Sequence, residues 1–316
     1  MKKFIPFEQI PFQEDFFWYT MSDGHDKGIV IYDPIDALSN TIGYVRSRKS
    51  LEEHIEYIRQ NNVKSAIVIA EDISFLHQCP SLEALWIKPA YNAEKFDYSP
   101  LYKMNNIKWL HCETIYGGIY QNTKYTSIDY SHFPNLETLR ACDKKGHLNI
   151  DKAKNVSTLC LWEVPKDQNL KGVLPGNSLV DLSITHSSIH TLEGIETTDK
   201  LNKLELCYCR KLNDISFLAH CADTLTELII DHCGNLEDLS VLNELHNLET
   251  LSLRGNNKIE NISFLRQMPK LQHFDCLVNV LDGDLSLCEN IPNVWIWDRR
   301  HYSHKNKDLP KLPKYD

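Results

Sequence analysis

Nowhere in the 316 residues is there a run of ~18 apolar side chains, so no transmembrane helix is expected. The opening stretch, MKKFIPFEQIPFQEDFFWYT, also lacks a secretory apolar region of roughly 7–15 residues. Glu8, Gln9, Gln13, Glu14 and Asp15 interrupt Phe4, Ile5 and Phe7. These absences predict a cytoplasmic protein with no membrane partner. Missing too are HExxH, CxxC, a GxxxxGKS phosphate loop and a GxSxG elbow, the spacings that would announce a zinc enzyme, a nucleotide-binding loop or an acyl-transfer nucleophile. Cys207-Tyr208-Cys209 lacks the two-residue spacer of a zinc knuckle. No metal, cofactor or catalytic residue is assigned.

Negative charge outweighs positive outside the C-terminus. The formal net charge is −9, yet Arg299 to Asp316 holds six Lys/Arg against two Asp, which leaves −13 on the remainder. Such a body repels phosphate backbones, so no nucleic-acid partner is expected. Cysteine is plentiful, at ten residues. Without an export signal, and in a chain long enough to bury a core of its own, these are predicted to be reduced thiols rather than staples.

The chain repeats itself. Leucine, two variable residues, leucine, one variable residue and a further apolar residue recur at Leu179-Leu182-Ile184, Leu201-Leu204-Leu206, Leu225-Leu228-Ile230, Leu248-Leu251-Leu253 and Leu271-Phe274-Cys276. Earlier copies are Val63-Ala66-Val68, Leu82-Leu85-Ile87, Ile107-Leu110-Cys112, Leu136-Leu139-Ala141 and Val156-Leu159-Leu161. A last copy is read at Val294-Trp297-Arg299, where Arg299 breaks the pattern. The early spacings vary, and the later ones hold within one residue of 23. This period and phrase are the signature of leucine-rich repeats. Each phrase is a short strand whose alternate side chains point inward, and stacking of neighbours buries them. Ser187, Cys209, Cys233, Asn256 and Asn279 fall where a polar side chain should bond the turning backbone. A second phrase, Asp/Asn-Ile/Leu-Ser-Phe/Val-Leu, starts at Asp72, Asp214, Asp238 and Asn261. Its acid or amide and its serine suit a local turn.

The second phrase, with its period near 23, resembles the bacterial internalin-type leucine-rich repeats over residues 63–297 at most and 179–293 best. The resemblance implies a binding role for the concave face. Internalins are exported and grip host receptors from the cell surface. With neither an export signal nor a wall-sorting tail read here, it does not imply adhesion.

The expected fold is therefore an α/β-type solenoid: a right-handed leucine-rich-repeat horseshoe with a parallel concave sheet. About eleven units should span 63–297, between an N-terminal cap region (1–62) and a C-terminal tail (298–316). In the cap, Gly28 to Tyr32 reads as a strand, and Ser50-Leu51-Glu52-Glu53 is a capping box that should start a helix. The tail after Arg299, with Pro310 and Pro313, is expected to be loosely ordered.

The expected function is non-catalytic protein binding, in a specific form a cytosolic inhibitor or immunity-type protein. The alternative is an enzyme, or an enzyme's substrate-recognition half, active within residues 1–62. Outward positions of the strands predict the docking residues. Trp86, Trp109, His111, Arg140 and Trp162 fall toward the N-terminal end, and Glu205, Asp231 and Asp275 toward the other. That suits a protein partner with an apolar anchor and a basic flank. Tyr116 and Tyr120 belong to a tyrosine-rich stretch between Tyr91 and Tyr130 that is expected to supply loop contacts. The competing explanations are that the chain's own loops cover the tryptophans and that the tyrosines only pack enlarged repeats.

Overall fold

The computed structural model describes residues 12–21, 27–33, 46–90, 93–113, 124–142, 146–163 and 168–312. The chain divides into two compact units, 1–155 and 156–316. In the N-terminal unit the strands of the main sheet are β1 (Trp18–Thr20), β2 (Lys27–Asp33), β3 (Ser65–Ala70), β4 (Ala84–Pro89), β5 (Trp109–Glu113) and β6 (Thr138–Cys142), neighbours in that order. β1 runs antiparallel to β2, and the other pairings are parallel. In the C-terminal unit β7 (Thr158–Trp162), β8 (Asp181–Thr185), β9 (Lys203–Cys207), β10 (Glu227–Asp231), β11 (Thr250–Arg254), β12 (His273–Cys276) and β13 (Asn293–Ile296) pair in parallel.

The register follows the leucine phrase. Leu182, Leu204, Leu228, Leu251, Phe274 and Val294 stand side by side across the sheet, all buried, and Ile184, Leu206, Ile230, Leu253, Cys276 and Ile296 form the next inward row. The alternation of buried and half-buried residues along β6 to β10 is the pleat itself, with a period of two.

The return path is a short 3-10 segment opened by the second phrase. At Asp72, Asp97, Asp129, Asp214, Asp238, Asn261 and Asp284 a side-chain oxygen accepts the backbone N–H of the serine two residues on, at 2.8–3.0 Å. Three of these turns, at Asp97, Asp129 and Asp284, lie in repeats where the remainder of the phrase has drifted. Cysteine takes the turn-bonding position in two repeats: Cys209 donates its S–H to Ile184 O and Cys233 to Leu206 O, each at 3.5 Å. The expectation for Asn256 fails by one residue. Asn256 is exposed, and Asn257 donates to Cys233 O (2.9 Å) and Leu236 O (3.1 Å).

The last repeat is also set differently. Phe274 pairs with Val294, Asp275 with Trp295 and Cys276 with Ile296. The buried set is thus Ile291, Val294 and Ile296, three residues earlier than the phrase read at Val294-Trp297-Arg299, and Trp295 rather than Asp298 takes the outward position. The described part of the tail, 299–312, is held in place. Tyr302 is buried, its hydroxyl accepting Val280 N–H (2.8 Å) and donating to Val278 O (3.1 Å). Val294 N–H bonds Pro310 O, and Ile296 N–H bonds the Asn306 side chain, each at 3.0 Å. The tail therefore covers the backbone edge of β13, which would otherwise invite pairing with another strand.

At the other end α1 (Leu51–Gln60) starts from Ser50. The Ser50 hydroxyl accepts Glu53 N–H and the Glu53 carboxylate accepts Ser50 N–H, the predicted capping box. β2 covers the predicted strand. Together β1 and β2 lengthen the sheet as well as terminating it.

Candidate functional site

Over β3 and β4 the outward face of the N-terminal unit is not open. Every residue of β3 and β4 is buried, on both faces of the sheet. Trp86 (8% exposed) and Trp109 (5%) sit in one cluster with Met21, Val30, Tyr32, Ile67, Ile69, Ala84 and Ala90, against which Phe17 and Tyr19 pack. His111 is buried as well, its ring stacked on Trp86 with centroids 5.0 Å apart and its Nε2 3.4 Å from the Cys142 sulfur. Lys88, also buried, holds its ammonium 5.2 Å from the Trp86 ring. Burial, reinforced by Lys88, drives the His111 pKa down to about 3. The expected exposure of Trp86, Trp109 and His111 is therefore corrected. Segments preceding the repeats supply the apolar contacts that a partner would have made, because uncovered indoles would cost free energy in water. Arg140 is half-buried.

The tyrosine-rich stretch divides. Tyr116 and Tyr120 lie outside the described residues. Tyr98 and Tyr130 are fully buried, and the Tyr130 hydroxyl meets His147 Nδ1 at 2.8 Å. Tyr102 stacks on His132 and bonds Ser127 O and Asp129 N–H. These three rings pack the enlarged repeats.

The C-terminal unit keeps an accessible outward face. Its strands place Asp181, Lys203 and Glu227 in one row, Ser183, Glu205 and Ile229 in the next, and Thr185, Cys207 and Asp231 in a third. All nine are half-buried. Lys203 pairs with Glu227 at 3.0 Å, and the Cys207 thiol donates to Glu205 at 3.2 Å. Burial, with Glu227 and Glu205 close by, holds Asp181 above the usual carboxylate range despite Lys203. Burial and the same Glu205 push the Cys207 thiol well up. The face is thus acidic around the half-exposed Ile229.

Beside these rows runs a feature that the sequence reading missed. The residue just after each strand has left-handed backbone: Glu163, His186, Tyr208 and His232 at φ 54–60°, then Gly255 at 120°. In the first four, the residue's N–H bonds the last strand carbonyl of the next repeat, as His186 N to Cys207 O at 2.9 Å. The rings that project there stack, His186 on Tyr208 at 4.9 Å and Tyr208 on His232 at 4.8 Å, with Trp162 tilted against His186 at 5.2 Å. The aromatic recurring two residues past the leucine phrase, at His186, Tyr208 and His232, was the available signal.

Asp275, expected as an outward charge, is only 6% exposed. It receives Arg254 at 2.5 Å, His273 Nε2 at 2.9 Å and the Ser252 hydroxyl at 3.3 Å. His273 Nδ1 is held by Asn293 at 2.7 Å. Serine, histidine and aspartate meet here, but the serine bonds the aspartate and both histidine nitrogens are engaged. The group lacks a nucleophile–base contact. Among the described residues no set of three His, Cys, Asp or Glu side chains is placed to hold a metal ion.

Past Asp275, the outward face ends in exposed tryptophans, Trp295 (45%) and Trp297 (54%), with Lys311 Nζ 4.5 Å from the Trp295 ring.

Residues 223–267 match the family Leucine Rich repeats (2 copies). No sequence among the curated proteins matches the chain. Similar solved structures include an internalin of Listeria monocytogenes, 17% identical, covering 82% of this chain and 69% of its own, at a TM-score of 0.46. The functional domain of InlJ from Listeria monocytogenes, which includes a cysteine ladder, is 12% identical over 73% of this chain and 57% of its own, at 0.47. A leucine-rich-repeat protein of Leptospira interrogans is 16% identical, with coverages of 71% and 68%, at 0.39.

Proposed function

We propose that the chain is a non-catalytic module that binds another protein on the outward face of its C-terminal unit. The observation that carries this reading is the contrast between the two faces. Trp86 and Trp109 are covered by the chain's own Phe17, Tyr19 and Met21, whereas Glu205, Ile229, Asp231 and the stacked rings remain accessible. An apolar centre ringed by carboxylates fits a partner bearing lysines or arginines around an apolar residue, since charge steers the encounter and buried contact area holds it. In its narrower form the reading is a cytoplasmic inhibitor. The free state of all ten cysteines fits a reducing compartment.

The test is differential capture from a lysate of the source cells by the parent chain, by Glu205→Lys/Asp231→Lys, and by Ser263→Ala as a control on the opposite side. Proteins held by the parent and the control should be lost or depleted tenfold on the charge-reversed chain. Equal capture by all three would overturn the reading.

A further inference from the structure

We propose that the C-terminal unit binds a second copy of itself, face to face about a two-fold axis. The argument begins with the two exposed tryptophans. Trp295 pairs with Asp275 across the sheet and so shares the outward face of Glu205, Ile229 and Asp231, with Trp297 two residues further along the chain. Exposed indoles of this kind mark contact sites. Around them lies a basic stretch of the chain. Arg300, Lys307 and Lys311 are exposed, and Leu312 adds apolar surface at 52% exposure.

An acidic patch thus lies on the outward face of the sheet, and a basic tail borders its last strand, with Lys311 over the Trp295 ring. From β10 to β13 there are three strand spacings, about 14 Å. A two-fold axis passing between the patches lays each on the other copy's complement, because an isologous contact uses the same surface twice. Trp297 of one copy then meets the half-exposed Ile229 of the other, while Lys307 and Lys311 face Glu205 and Asp231. Within one chain these patches stay apart, since backbone bonds hold the tail to the edge of β13, three strands from β10. A bilayer fits less well: Asp298, exposed beside Lys311, would have to be desolvated. The proposal rests on the acidic face identified above, and predicts that self-association hides it until another partner competes.

The experiment uses the purified chain alone, so its outcome is separate from that of lysate capture. Mass is measured by light scattering and sedimentation at about 0.02 M and about 0.5 M salt, where screening differs strongly. The parent should form a dimer that weakens at least tenfold in the higher salt. Glu205→Lys/Asp231→Lys and Lys307→Glu/Lys311→Glu should each weaken dimerisation tenfold or more. An equimolar mixture of the two variants should restore it, because both contacts of the mixed dimer are again complementary. Trp297→Ser should weaken the dimer without changing its salt dependence. Lys311 also bonds Val294 O and Asn306, so if circular dichroism shows that its variant is misfolded, Arg300→Glu/Lys307→Glu replaces it. A parent that stays monomeric at low salt overturns the proposal. So does a dimer indifferent to salt, a larger open assembly, or a mixture that remains monomeric.

Discussion

Tyr208 lies flat on His232, their ring centroids 4.8 Å apart and their planes within 12°, and both residues have left-handed backbone at φ 54°. The stack repays an unfavourable conformation. A non-glycine residue at positive φ costs roughly 1–3 kcal/mol, and each turn recovers part of that through a backbone bond to the next repeat and a ring contact with its neighbour. The row ends at Gly255, where an added Cβ would lie 3.1 Å from the His232 backbone and φ is +120°. Gly255→Ala should therefore lose about 1–3 kcal/mol in urea unfolding. Gly234→Ala, where a Cβ meets nothing within 4 Å, should change little.

Truncation of Trp86 should act on stability rather than on binding. Its burial with Met21 and Trp109 implies a loss of about 3–5 kcal/mol for Trp86→Ala. Asp275→Ala should cost about 1–3 kcal/mol, because Arg254, His273 and Ser252 lose their shared acceptor. Calorimetric melting checks both. Full stability in either variant would contradict the burial described.

His111 makes the chain acid-sensitive. Its folded pKa of about 3 lies below the ordinary value near 6.5, so above pH 6.5 the residue is neutral in both states and costs nothing. Below pH 6.5 the unfolded chain takes up a proton that the folded chain refuses, and stability falls by roughly 1.4 kcal/mol per pH unit down to about pH 3. Burial moves His54 in the same direction. His111→Phe, which keeps a ring on Trp86, should flatten the decline between pH 6.5 and 5 in urea melts, and an unchanged slope would count against it.

The thiols should sort by burial. Cys79, Cys112, Cys209, Cys221, Cys233, Cys276 and Cys288 are buried, and burial pushes Cys276 and Cys288 up to about 12. Alkylation of the native, unreduced chain at pH 8 should label at most Cys142, Cys160 and Cys207, and mass spectrometry after denaturation should then count ten thiols. A disulfide between Cys209 and Cys233 would defeat the compartment argument.

The sheet was legible because its cause is local: a leucine phrase at a steady period fixes strand, face and register together. The errors occurred where one residue or one segment changes the frame. The turn-bonding role fell on Asn257 rather than Asn256, just beyond Gly255. In the last repeat Ile291 is a weaker marker than leucine, which moved Trp295 out of its outward place. The fate of Trp86 and Trp109 was beyond the repeat pattern altogether. The pattern says which way a side chain points from the sheet, whereas Phe17, Tyr19 and Met21, outside any repeat, decide whether water reaches it. Asp275 failed for a similar reason, since Arg254 and His273 come from positions whose pairing emerges only when strands align.

Site-specific photocrosslinking tests the central claim most directly. A benzophenone amino acid is placed at Ser183 on the outward face of the C-terminal unit, and separately at Ser263 on the opposite side, in chains incubated with a lysate of the source cells. The account predicts an adduct between Ser183 and a different protein, identifiable by mass, with none from Ser263. Adducts to other proteins from Ser263 and none from Ser183 would contradict it.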